Sequence, residues 1–132
     1  MEKYKPINRR RMERVLPHIW DVTDLCDIIE RHGNKTLFRY YEGKDIQSMT
    51  YATFGTQVRE AAAAFTAMGL CGEKIAVIGE TSPQWVCTYL GALAAGCVIV
   101  PMDKELDTEE IRRFIAMVDA RAIVYSKSFN EK

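Results

Sequence analysis

The sequence predicts an α/β fold with three layers: a small, mostly parallel sheet, helices on both faces, and a β-hairpin on the N-terminal side. Three observations predict it. The runs Ile75-Ala76-Val77-Ile78, Val98-Ile99-Val100 and Ala122-Ile123-Val124-Tyr125 are short and continuously apolar, which marks strands buried on both faces. Each is separated from the next by a helical pattern, so the strands run parallel and are joined by right-handed crossovers. Both intervening helices carry start signals. Ser82-Pro83 is an N-cap followed by proline at the first helical position, and Asp107 stands three residues before Glu110 as in a capping box.

The elements follow in order. Residues 1–20 form a basic, irregular arm containing Pro6 and Pro17, and residues 21–132 form one α/β unit. Leu25, Ile28 and Ile29 recur at helical spacing over residues 22–31, with Thr23 as N-cap and Gly33 as the stop. Residues 36–41 are rich in β-formers, residues 42–45 make a polar turn around Gly43, and residues 46–49 return as a second strand. Thr50 then caps a helix. Its face carries Tyr51, Phe54, Val58, Ala61, Phe65 and Met68 at steps of three and four, and Gly69 ends it. The alanines at 61–64 favour helix and leave room for a close neighbour. Residues 83–95 are apolar nearly all round, as in an interior helix, with Gly91, Ala92, Ala94 and Ala95 as small residues. Pro101 is expected to stop the strand that begins at Val98. Ile111, Phe114, Ile115 and Val118 form the expected buried face of the last helix.

Composition excludes several classes. The 132 residues are 48% apolar and 27% charged, which suits a globular chain with a real core. Eighteen basic and eighteen acidic residues cancel, so no overall field draws nucleic acid or an anionic membrane. The local exception is Lys3, Lys5, Arg9, Arg10, Arg11 and Arg14. This arm could touch phosphate or lipid headgroups, or pack as a solvated leader on a neighbour. Cys26, Cys71, Cys87 and Cys97 form no Cys-x-x-Cys pair and have no nearby histidine, so no zinc site is expected. Cys87 and Cys97 sit in apolar runs as small core residues. The N-terminus lacks an apolar signal-peptide region, and the apolar window of residues 85–100 is too short to span a bilayer. Together these predict a reducing, cytoplasmic setting.

Candidate chemistry is sparse. The turn Gly79-Glu80-Thr81-Ser82 joins a buried strand to a helix N-terminus, where α/β proteins bind phosphate. It lacks the further glycines of a dinucleotide fingerprint and the Gly-Lys-Ser/Thr of a P-loop, and Glu80 would repel an anion. A structural turn is therefore the reading. Glu80 and Asp103 lie just past strand ends but lack the charge cluster of a metal-binding receiver domain. His18 and His32 have no motif partners, and His32 suits the end of a helix. Trp85 and Tyr89 share a helix face and read as core packing. No catalytic, cofactor-binding or metal-binding residue is assigned.

Five pieces, in order, carry a family resemblance. They are Met49-Thr50-Tyr51-Ala52-Thr53-Phe54, Gly69-Leu70 with Gly72-Glu73-Lys74-Ile75-Ala76-Val77, Ser82-Pro83-Gln84-Trp85, and the run Leu93 to Asp103 through Gly96 and Pro101. Glu109-Glu110-Ile111 and the strand ending at Tyr125-Ser126 complete them. Over residues 23–126 the chain resembles the opening of the adenylate-forming acyl-CoA synthetase superfamily, with a tone closest to long-chain fatty-acid–CoA ligases. The resemblance implies that residues 21–132 are the first portion of a larger N-terminal domain. It implies a parent enzyme that activates a fatty or other carboxylic acid with ATP and magnesium and passes the acyl group to coenzyme A. The family's Ser/Thr/Gly-rich phosphate loop and its C-terminal lysine have no counterpart in these residues, so the 132-residue chain is expected to bind none of these cofactors and to be inactive alone. In the resemblance Thr50 and Gly96 are scaffold, Gly96 permitting close packing beside a strand. The expected partners are the remainder of the parent enzyme and its acid. Nucleic acid is not among them. Peripheral membrane contact is open, and the isolated chain is expected to self-associate through exposed sheet edges or an apolar face. A stand-alone nucleotide- or protein-binding module, or a dimerising domain, is the alternative.

Overall fold

The computed structural model describes residues 19–129. The basic arm through Arg14, and His18, lie outside the described residues. Helix α1 spans Val22–Arg31, and strands β1 (Thr36–Glu42) and β2 (Asp45–Thr50) form the hairpin. Helix α2 (Tyr51–Ala67), strand β3 (Lys74–Ile78), helix α3 (Pro83–Ala94), strand β4 (Val98–Met102), helix α4 (Thr108–Val118) and strand β5 (Ala122–Tyr125) follow. A 3-10 turn, Lys127–Phe129, closes the described chain.

The hairpin is antiparallel and separate from the main sheet. The main sheet has the order β4-β3-β5, and both pairings are parallel. The path from β3 to β4 goes one way, and the path from β4 to β5 goes back past β3. Right-handed crossovers then place α3 and α4 on opposite faces. On the α3 face, Phe65, Leu70, Ile75, Val77, Ala92 and Cys97 form one buried cluster. A second cluster, Cys26, Met49, Phe54, Val58 and Cys87, ties α1 and the hairpin to the outer side of α2 and α3. Phe38 of the hairpin meets Phe54 edge-on at 5.2 Å.

The α2–α3 contact depends on small side chains. A Cβ added at Gly91 would lie 2.5 Å from the Ala61 Cβ and 3.1 Å from the Val58 carbonyl oxygen. The alanines of α2 thus do receive a close neighbour. On the outer side of α2, Gly55 gives room to Glu30, whose carboxylate accepts from Arg59 Nε at 2.6 Å. Arg59 Nη2 also donates to Asp27 Oδ1 at 2.7 Å. These bonds raise the guanidinium pKa, the Glu30 bond contributing most.

Several expectations need correction. Asp21, not Thr23, caps α1, because its carboxylate reaches the Asp24 N–H at 3.0 Å. Pro101 does not stop β4; it pairs with Val77 inside the strand. Proline is tolerated there because β4 is an edge strand. Met68 lies past the end of α2 as its C-cap and is 61% exposed. No residue of α4 is fully buried, and Phe114 is 38% exposed. Among the described residues, α4 packs with a single row of half-buried Ile111, Ile115 and Val118. Gly96 has φ +76 with open space around its Cβ position. It serves the left-handed turn after α3, where the Gly96 N–H donates to the Leu93 carbonyl and the Cys97 N–H to the Ala92 carbonyl. The close-packing glycine is Gly91.

Candidate functional site

Parallel α/β sheets present their sites at the carboxyl ends of the strands. Here that rim is built from the β3–α3 turn, the loop after β4 and the exit from β5. The three meet because β3 is central and the first two loops leave toward opposite faces.

The β3–α3 turn holds Glu80. Its Oε1 accepts from Ser128 Oγ at 2.6 Å, and Ser128 Oγ lies 2.7 Å from Ser126 Oγ. Gly79 permits this closeness, since a Cβ there would stand 3.2 Å from the Ser126 Cβ. The hydrogen bond from Ser128, then that from Ser126, lowers the Glu80 carboxyl pKa to about 2. Ser82 Oγ accepts from the Trp85 N–H at 3.1 Å, so the α3 N-terminus is already capped. Trp85 and Tyr89 stack at 5.3 Å. The hollow between Trp85, Glu80, Gln84 and Ser126 is about 90 Å³, too small for a nucleotide.

Asp103 is engaged by its own loop. Its Oδ1 accepts from the Glu105 N–H at 2.9 Å. The rim therefore does not unite Asp103 and Glu80 around a metal, and among the described residues no group of three His, Cys, Asp or Glu could hold one. His32 caps α1, with its ring 4.8 Å from that of Tyr51. Cys26, Cys87 and Cys97 are buried and Cys71 is exposed, all as free thiols. Burial raises the Cys87 thiol to about 11 and moves Cys26 and Cys97 the same way. A thiol so protonated is a weak nucleophile. No helix among the described residues is long and apolar enough to cross a membrane.

Sequence reasoning placed Glu80 at the turn but missed Ser126 and Ser128. A Ser-x-Ser just past a strand end is a weak local signal. Its meaning depends on which strand lies beside β3, and that is a matter of topology.

Comparison with known proteins gives the setting. Residues 27–132 match the AMP-binding enzyme family. The crotonobetaine/carnitine–CoA ligase of Citrobacter koseri is 28% identical over 117 residues, covering 86% of this chain and 22% of the ligase. The mitochondrial medium-chain acyl-CoA ligase ACSF2 of Homo sapiens is 28% identical over 82 residues, covering 61% of this chain and 13% of that protein. The N-terminal domain of FACL13 from Mycobacterium tuberculosis superposes with TM-score 0.74 at 20% identity, over 86% of this chain and 28% of that one. The fatty acid AMP ligase of Legionella pneumophila gives TM-score 0.73 at 16% identity, over 93% and 22%. This chain spans no more than 22% of the length of these curated relatives. The Thr50 cap and the Ser82-Pro83 helix start occupy the positions the sequence motifs predict, and the family match runs through both. With a parallel sheet flanked by helices that superposes on adenylate-forming N-terminal domains, the chain belongs to the AMP-binding enzyme family.

Proposed function

We propose that these 132 residues are the opening portion of an ATP-dependent carboxylic acid–CoA ligase, with a fatty acid as the acid. The overall reaction joins the carboxylate to AMP with release of pyrophosphate, then passes the acyl group to the coenzyme A thiol. The observation that carries this reading is the family match over residues 27–132. The names of the Citrobacter and human relatives support the ligase class.

The described residues do not fit ATP or magnesium. At the sheet rim, the one carboxylate beside the α3 N-terminus is held by Ser128 and carries negative charge where a phosphate would sit. The Ser82 hydroxyl caps the helix end that would otherwise receive the anion. The role of this portion is scaffold: it sets the parallel strands and the α2–α3 support on which the parent's site is built. Four free thiols support a reducing, cytoplasmic setting.

Acid-dependent ATP–pyrophosphate exchange tests the reading. The 132-residue chain alone shows none with acetate, octanoate or palmitate, and the full reading frame containing it shows exchange with a fatty acid. Exchange by the short chain would overturn the scaffold role. A full reading frame that binds ATP without exchanging pyrophosphate against any acid would overturn the ligase.

A further inference from the structure

The four thiols fall into two pairs that differ in access. Cys26 and Cys87 share one cluster, and both are buried. Cys71 is exposed, whereas Cys97 is only 5% exposed. The second pair comes from the α2–β3 and α3–β4 connections. Both lie at the amino end of the parallel sheet, opposite the rim where β5 exits.

Three hydrogen bonds lace these connections together. The Gly72 N–H donates to the Gly96 carbonyl at 3.0 Å, and the Val98 N–H donates to the Glu73 carbonyl at 2.9 Å. The Cys97 thiol donates to the Leu70 carbonyl at 3.2 Å. That carbonyl belongs to the peptide bond entering Cys71, so standard bond lengths put the Cys97 sulfur within about 6 Å of the Cys71 Cα. A disulfide holds each Cα roughly 4 Å from the partner sulfur, so a closure of about 2 Å joins the pair. Gly72 follows Cys71 and Gly96 precedes Cys97, at φ +80 and +76 with open space at both Cβ positions. Glycine backbone allows such a movement at small cost. The Cys71 sulfur rests 3.8 Å from the Thr66 hydroxyl, and an exposed side chain changes rotamer within nanoseconds. Burial raises the Cys97 thiol, and the charge of a Cys71 thiolate adds to that. Cys97 therefore stays protonated while Cys71 meets solvent.

We propose that Cys71 and Cys97 are an oxidant-reactive pair that a hydroperoxide closes to an intrachain disulfide. The Cys71 thiolate attacks the peroxide, the O–O bond breaks, and Cys71 becomes a sulfenic acid. The departing alkoxide takes the Cys71 proton and leaves as an alcohol, or as water from hydrogen peroxide. The Cys97 sulfur then displaces hydroxide from the Cys71 sulfur, and that hydroxide leaves as water with the Cys97 proton. Two thiols have lost two electrons, and the broken O–O bond has taken them. A protonated thiol is a weak nucleophile, but attack within one chain offsets this. The bond fastens the α2–β3 connection to the α3–β4 turn, and a thiol reductant reopens it.

Hydrogen peroxide is added to the reduced 132-residue chain and to the full reading frame containing it, followed by alkylation in denaturant and peptide mass mapping. The expected product links Cys71 to Cys97 with two hydrogens lost, while Cys26 and Cys87 carry the alkyl label. Dithiothreitol removes the link. In Cys97→Ala, dimedone captures the Cys71 sulfenic acid severalfold more than in the wild type. Should Cys97→Ala fail to fold, Cys71→Ser takes its place and leaves Cys97 fully alkylated after peroxide. A link through Cys26 or Cys87 at comparable yield, or a Cys71–Cys71 link between chains in place of the internal one, would overturn the proposal. So would dimedone capture that is the same with and without Cys97, or a Cys71 shielded from peroxide in the full reading frame. The readout is thiol chemistry rather than pyrophosphate exchange, so failure here and failure of the ligase reading are separate results.

Discussion

Gly91 faces Ala61 where α2 and α3 touch, with 2.5 Å between an added Cβ and the Ala61 Cβ. Alanine normally improves a helix interior over glycine by about 1 kcal/mol. Here the neighbours are backbone and a Cβ, neither of which can swing aside, and overpacking costs roughly 1–3 kcal/mol. Gly91→Ala is therefore expected to be net destabilising, read as a lower urea midpoint. Gly55→Ala makes a contrast. Its Cβ would meet the flexible end of Glu30, which can move, so the change should disturb the Arg59–Glu30 bond with little loss of stability. Exposed pairs of this kind contribute at most about 1 kcal/mol. Glu80 gives a pH prediction. Its carboxyl is lowered from the ordinary value of 4.5 to about 2 by the Ser128 and Ser126 hydroxyls, so the folded state favours the ionised form. The stability this contributes is present above about pH 4.5 and lost as pH falls through about 2. Carbon-detected titration of Glu80 should show the low midpoint, and Ser128→Ala should move it upward. None of these residue roles was legible in the sequence. Gly91, Glu30 and Ser128 act on residues far away in the chain, and no local pattern encodes such distances.

At the scale of elements the sequence was far more informative. The limits of α1, the hairpin, α3 and β5 follow local chemistry: a helical spacing, a glycine in a two-residue turn, a Ser-Pro start, an apolar run. The capping box of α4 is present in full, with the Glu110 N–H donating to Asp107 Oδ1 at 2.8 Å and the Asp107 N–H donating to Glu110 Oε2 at 3.0 Å. Because α4 buries no residue completely, its cap carries a larger share of its stability than in a core helix. Asp107→Ala is expected to cost about 1 kcal/mol, with α4 amides losing exchange protection before those of β3. The misreadings at this scale have one cause. Pro101 lies inside its strand rather than stopping it, and the expected buried face of α4 is only half-buried, because a sequence does not say which strand lies at an edge or how many layers cover a face.

The whole molecule is read from its sheet rim and its family. The rim was expected to lack a phosphate-binding loop, and its one conspicuous carboxylate is tied to the exit of β5 by Ser128. Membership of the AMP-binding enzyme family rests on residues 27–132, and the motifs that carried the resemblance prove to be helix caps, turns and strand ends. They were legible because backbone geometry constrains them locally. The identity of the acid was not, since no local pattern says which side chains the topology gathers around a hollow.

Ala61 packs against both buried clusters, the one beneath the sheet and the one beneath the hairpin. The two sheets share no strand pairing, so the α2–α3 seam is the joint through which one half senses the other. Loosened there, the chain should cease to melt as a unit: calorimetry of Gly91→Leu would split a single transition into two, the hairpin half departing first and leaving a three-stranded remnant to denature by itself.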